Sequence, residues 1–139
     1  MGRSSKGFTF IELLLVVVII GLLGAIAIPS LLGQKKNAEL VGDAQQNTKS
    51  LQMMLETRKA DTGLYGAANA SAVWDPTGPV SGSTSLAPLF APKGATQMTY
   101  TLTVGATGLT YDLSVRDNRP GRSNKLIFQS DETGRQIYP

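Results

Sequence analysis

Cysteine and histidine are both absent from this chain of 139 residues. Without cysteine there is neither a disulfide framework nor a thiolate metal site. Without histidine the commonest general base and the commonest metal ligand are missing, so any chemistry falls to carboxylates, lysines and hydroxyls. Catalysis is disfavoured from the outset. A nucleophile with its base would have to be serine with lysine, and no motif places the two together. No cofactor and no metal are expected. A one-sided charge is lacking as well. The net +3 rests on Arg3 and Lys6, and without them the chain carries 11 basic against 10 acidic residues. That balance implies no nucleic-acid partner.

What the chain has instead is a long apolar run near its start. From Leu13 to Pro29 no residue is charged or polar, and the uncharged run continues to Gln34, which makes 22 residues. As a helix that is enough to span ~30 Å of hydrocarbon. A cleavable secretory signal would have a shorter apolar core followed by a small-residue cut site, whereas Ile28, Pro29 and a helical pattern follow here. The run is therefore a transmembrane candidate that stays with the protein, and its N-terminus is expected to face the cytoplasm. Twelve Leu, Ile or Val residues between Leu13 and Ile28 favour insertion by roughly 4 to 7 kcal/mol, against about 2.5 to 3.5 for one central acid. The segment inserts despite Glu12. That carboxylate either pairs with a cation or sits at the headgroup boundary, where it suits the positive end of the helix dipole. The nearest bases within the chain are Lys6 and Lys35.

The string "KGFTFIELLLVVVIIGLLGAIAIPS" closely resembles the N-terminal signature of type IV pilins and of the related pseudopilins of type II secretion. The resemblance is strict over residues 6 to 30 and rests on architecture beyond them. It implies that a membrane peptidase cuts after Gly7, with Lys6 before the cut, and methylates the new N-terminus at Phe8. Glu12 becomes the fifth residue of the mature chain. The resemblance assigns assembly to Thr9, Glu12, Gly21 and Pro29, with Glu12 attracting the α-amine of a neighbouring subunit. Gly21 and Gly24 weaken the helix or let neighbouring helices approach, and Pro29 bends it.

After Pro29 the positions Leu31, Ala38, Val41, Thr48, Leu51 and Leu55 recur at helical spacing, interleaved with Lys35, Lys36, Glu39, Asp43, Lys49 and Glu56. This predicts an amphipathic helix over 30–58, extending the membrane segment 8–29 into one rod of about 51 residues and ~76 Å. Gly63 is its expected cap. Residues 59–97 read as a long connection with at most one short helix or strand, pinned by Tyr65, Trp74, Leu86, Leu89 and Phe90. Alternation in "MTYTLTV", "LTYDLSV", "KLIFQ" and "RQIY" predicts a three- to four-stranded antiparallel sheet over 98–139, with "GATG" and "SDETG" as turns. Met98, Tyr100, Leu102 and Val104 are expected on one face with Leu109, Tyr111, Leu113 and Val115, packed on the helix. Phe128, Ile137 and Tyr138 are expected to hold the C-terminal loop. The fold class is α+β, with residues 1–7 a cleaved basic leader and 30–139 the globular head.

Weaker signals lie elsewhere in the chain. Arg116, Arg119, Arg122 and Lys125 form a basic loop, but acids dilute it and no aromatic is interleaved for base stacking, so nucleic acid is unsupported. Asp117, Asn118, Asp131 and Glu132 offer oxygens for calcium without any EF-hand spacing. "NAS" at Asn69 is a chance-prone glycosylation motif. Leu31 stands where many pilins carry an aromatic, which argues against electron conduction. The reading is a structural pilus subunit that partners itself, a prepilin peptidase and methyltransferase, the inner-membrane assembly machinery, and lipid before assembly. It is placed in the inner membrane and then in an extracellular pilus. The glycine- and serine-rich connection, and the lack of a pseudopilin-like "YP" after the helix, point to a pilus over a type II pseudopilin. A minor pilin and a single-span anchored binding module are the remaining alternatives. The latter explains neither the cut signal nor Glu12.

Overall fold

The computed structural model describes residues 7–92, 97–122 and 124–137. Arg3, Lys6 and Tyr138 lie outside the described residues. The fold is α+β, with one long helix, α1 (Phe10–Thr62), and a six-stranded antiparallel sheet. By its contacts the chain divides into two compact units between Ala38 and Glu39.

The first unit is helix. Its side chains between Phe10 and Leu32 are almost all exposed, the large apolar ones from Phe10 at 82% to Val16 at 45%. Among the described residues α1 is the one helix long and apolar enough to cross a membrane. Its backbone stays helical through Pro29, whose ring removes the hydrogen bond that the Ala25 carbonyl would otherwise accept.

In the second unit, α1 buries Leu40, Ala44, Asn47, Thr48, Leu51 and Leu55. Those steps average close to a helical turn, so the residues form one stripe. Ala38 is exposed and Val41 only half-buried. The stripe thus runs through Leu40, where the sequence pattern had taken its neighbour. Past Leu55 the helix continues to Thr62, four residues beyond the expected Arg58. Gly63 then ends it at φ +82°, its N–H bonded to the Lys59 carbonyl at 2.7 Å, the left-handed cap that glycine favours.

The sheet runs β2 (Gly78–Ser81), β1 (Ser71–Asp75), β3 (Met98–Val104), β4 (Tyr111–Asp117), β5 (Lys125–Asp131), β6 (Gln136–Ile137). Tyr100 faces Val115, Leu102 faces Leu113 and Val104 faces Tyr111 across β3 and β4. All six are buried, in one core with the helix stripe, Phe128, Trp74 and Tyr65. Polar contacts also tie α1 to the sheet. Asn47 Nδ2 donates to the Tyr100 hydroxyl at 2.8 Å, and Gln52 Nε2 donates to Ser130 Oγ at 2.8 Å.

The strand count corrects the expected three or four. The two extra strands are the β1–β2 hairpin inside the stretch read as loop, followed by a helical turn, α2 (Ser83–Leu86). Ala72 and Trp74 bury alternately from β1, a signal only five residues long and masked by the surrounding Gly, Pro and Ser. The turn is closed by Asp75, which accepts the Thr77 N–H at 2.7 Å. Gly82 leaves β2 at φ +62°, and a Cβ there would overlap the Ser71 carbonyl oxygen. Three expected pegs also fail. Leu89 is 84% exposed, Leu109 sits in the β3–β4 turn at 49%, and Ile137 lies on the edge strand at 40%. Tyr65, Trp74, Leu86, Phe90 and Phe128 do pin the head.

Candidate functional site

The start of α1 is organised by two side chains, Thr9 and Glu12. Thr9 precedes the helix, and its Oγ1 accepts the Glu12 N–H at 3.3 Å. Glu12 reaches back, its Oε2 accepting the Thr9 N–H at 3.0 Å and the Thr9 hydroxyl at 2.8 Å. This reciprocal closure satisfies donors that a helix N-terminus leaves open. It defines where the helix begins, immediately after Gly7 and Phe8. Its signal in the sequence is T-x-x-E ahead of an apolar run, a capping pattern.

Both contacts made by Glu12 use Oε2. Among the described residues Oε1 accepts nothing, and every neighbouring position along the helix is apolar. Phe8 is 78% exposed, and Gly7 is exposed as well. Gly21 and Gly24 have open space where a Cβ would stand, so nothing within this unit requires glycine there. The site therefore comprises an exposed apolar rod, a glycine just before it, and one carboxylate half-occupied by its own cap.

The other candidates are absorbed locally. Asp117 is gripped by Arg119, with Nε at 3.0 Å from Oδ1 and Nη2 at 2.7 Å from Oδ2. This fork holds the Asp117 carboxyl below its usual range. Asp131 caps its turn by accepting from Thr133 and Arg135, and Glu132 accepts the Tyr111 N–H at 3.3 Å. Asn118 donates to Thr99 at 2.6 Å. Among the described residues no group of three or more acids gathers to hold a metal. In the basic loop, Arg116 donates to the Asn124 carbonyl at 3.0 Å and Arg119 is committed to Asp117, while Arg122 and Lys125 are exposed. Asn69 is exposed in a turn at φ +57°.

Residues 2–28 match the family model described as the prokaryotic N-terminal methylation motif. The chain thus carries that methylation motif and is similar to subunits of type IV pili and of type II secretion systems. The chain is 56% identical over 36 residues to the type IV wide pilus major component PilA4 of Thermus thermophilus, covering 26% of this chain and 28% of that one. The chain is also 34% identical over 65 residues to the type II secretion system core protein G of Dickeya chrysanthemi, or 47% of this chain and 42% of the relative. Core protein G of Vibrio cholerae is 36% identical over 63 residues, or 45% and 42%. The matches thus span less than half the length of these curated relatives. No solved structure matches it significantly. Pilins and pseudopilins are structural subunits rather than enzymes.

Proposed function

We propose that the chain is a structural subunit of a type IV pilus, cut after Gly7 by a prepilin peptidase, methylated at Phe8, and polymerised through its apolar helix. Before assembly it spans the inner membrane once. After assembly it lies in an extracellular filament, delivered there by the inner-membrane machinery. One observation carries this reading: the exposed apolar rod from Phe10 to Leu32 holds a single acid at its start, half of whose bonding capacity is used by Thr9.

Cleavage at Gly7 creates an α-amine at Phe8 with an ordinary pKa of about 7.7 to 8.0. That amine is the cation missing from the chain's own apolar segment. A neighbour's Phe8 amine brought to Glu12 Oε1 offsets the carboxylate's desolvation as the rod leaves lipid for the filament core, and fixes the register of the two subunits. Gly21 and Pro29 then serve as the points where the helix yields to packing. The same arrangement serves a pseudopilin of type II secretion, a second reading favoured by the core protein G relatives.

Two measurements test the proposal. The mass of the purified chain should correspond to residues 8–139 plus one methyl group. Electron microscopy of cells with and without the protein should show surface filaments only in the former. Fibres built from chains that retain residues 1–7 would end the Glu12–amine account. Filaments seen only when the protein is overproduced in a secreting cell would favour the pseudopilin.

A further inference from the structure

The end of α1 and the stretch after α2 leave a groove of about 500 Å³ in the head, between Met54, Arg58 and Asp61 on one wall and Leu86, Pro88 and Leu89 on the other. Arg58 is already used, since its Nη1 donates to the Ser85 carbonyl at 2.6 Å and latches α2 to the helix. Asp61 is exposed at the rim, and among the described residues no cation pairs with it. Leu89, at 84% exposure, is the most exposed large apolar side chain among the described residues. The groove is thus apolar, with the Arg58 guanidinium turned to the backbone carbonyls beside it and the Asp61 carboxylate at its rim.

The complementary surface lies on the same head. α2 packs on β1 and β2, so the groove belongs to the β2 edge of the sheet, and β6 is the opposite edge. β6 carries Ile137, 40% exposed, and exposed Arg135 two residues earlier. Alternation in an extended segment sets those two side chains on one face. In its own turn Arg135 has two carboxylates nearby, Asp131 and Glu132, the first already accepting from Thr133 and the second from the Tyr111 N–H. Val80 and Leu109 are also exposed, but neither has a cation within two residues.

We propose that the groove of one copy receives the β6 edge of the next, Ile137 entering between Met54 and Leu89 while Arg135 meets Asp61. Because knob and groove lie at opposite edges of one sheet, the contact is heterologous. It does not close on itself as a two-fold pair does, and it propagates from copy to copy. It covers apolar side chains that a free head leaves in water. This contact rests on the filament reading above and adds a head-to-head link to the helix packing.

The lack of native cysteine makes the test direct. Leu89→Cys with Ile137→Cys in one full-length chain should give, in sheared filaments under mild oxidation, a ladder of disulfide-linked multimers. Neither single variant should give it. Filaments of normal appearance without a ladder overturn the contact while leaving the filament reading intact. A dimer from either single variant places that residue against itself and also overturns it. If the wild-type chain forms no filaments, the filament reading falls and takes the contact with it. Charge reversal gives an independent readout should the paired variant assemble poorly. Asp61→Arg and Arg135→Asp should each lower filament yield about fivefold, with the combination restoring it to within about twofold. A combination no better than the worse single variant overturns the pairing.

Discussion

At the scale of single residues, Glu12 caps its helix, and different substitutions separate that role from the amine pairing proposed above. Glutamine keeps an oxygen that can accept the Thr9 N–H, so Glu12→Gln preserves the cap while removing the charge. Leucine removes both. If the charge recruits a neighbour's amine, both variants insert into the membrane normally and both lose filaments, measured as sheared pilin per cell. If capping alone matters, Glu12→Gln assembles like the wild type. Trp74 makes a different kind of point, being 1% exposed and edge-on to Phe90 at 5.0 Å. Trp74→Ala should destabilise the head by about 3 to 5 kcal/mol, whereas Leu89→Ala, at a site 84% exposed, should stay within about 0.5 kcal/mol. Denaturant unfolding followed by far-ultraviolet dichroism distinguishes the two.

At the scale of elements, the connection between helix and sheet is where sequence and structure part. Tyr65 is held because its N–H bonds the Gly108 carbonyl at 2.9 Å and its hydroxyl donates to Glu56 at 2.6 Å. Neither partner is near it in sequence. The β1–β2 hairpin escapes notice for the same reason, since Trp74 opposite Tyr100 supplies a reason for pairing that five residues alone do not. Gly82 then turns the chain from β2 into α2. Its φ of +62° and the overlap an added Cβ would have with Ser71 predict that Gly82→Ala costs more than about 1 kcal/mol. The midpoint of Trp74 fluorescence during unfolding, the one tryptophan in the chain, reads that loss. By contrast β3 and β4 were legible, because seven-residue alternation with one buried face leaves a single register.

At the scale of the whole head, stability should fall at both ends of the pH range. Asp117 is held below the usual carboxyl range chiefly by the Arg119 fork, so its contribution is complete above about pH 3.9 and is lost as pH falls through its folded value. Asp117→Asn should flatten the acid limb of the stability curve. Burial pushes Tyr65, Tyr100 and Tyr111 up to about 12, with Glu56 adding to the rise at Tyr65. A raised value means full stability below the ordinary phenol range near 10 and loss as pH climbs towards 12. Absorbance at ~295 nm should show these phenols ionising together with unfolding, and Tyr65→Phe should lessen the alkaline slope.

The sequence by itself determined the apolar helix, the processing signature and the main strands, because each is written in neighbouring residues: an unbroken apolar run, a contiguous motif, and a period of two. Tertiary structure alone decided which face of the helix meets the sheet, passing through Leu40 and Ala44 rather than Ala38 and Val41. It alone decided that a glycine-rich connection folds into two more strands, and that Leu89 and Ile137 remain in water. Those outcomes depend on partners distant along the chain, and side chains of similar hydrophobicity are sorted inside from outside only when the opposing surface is in place.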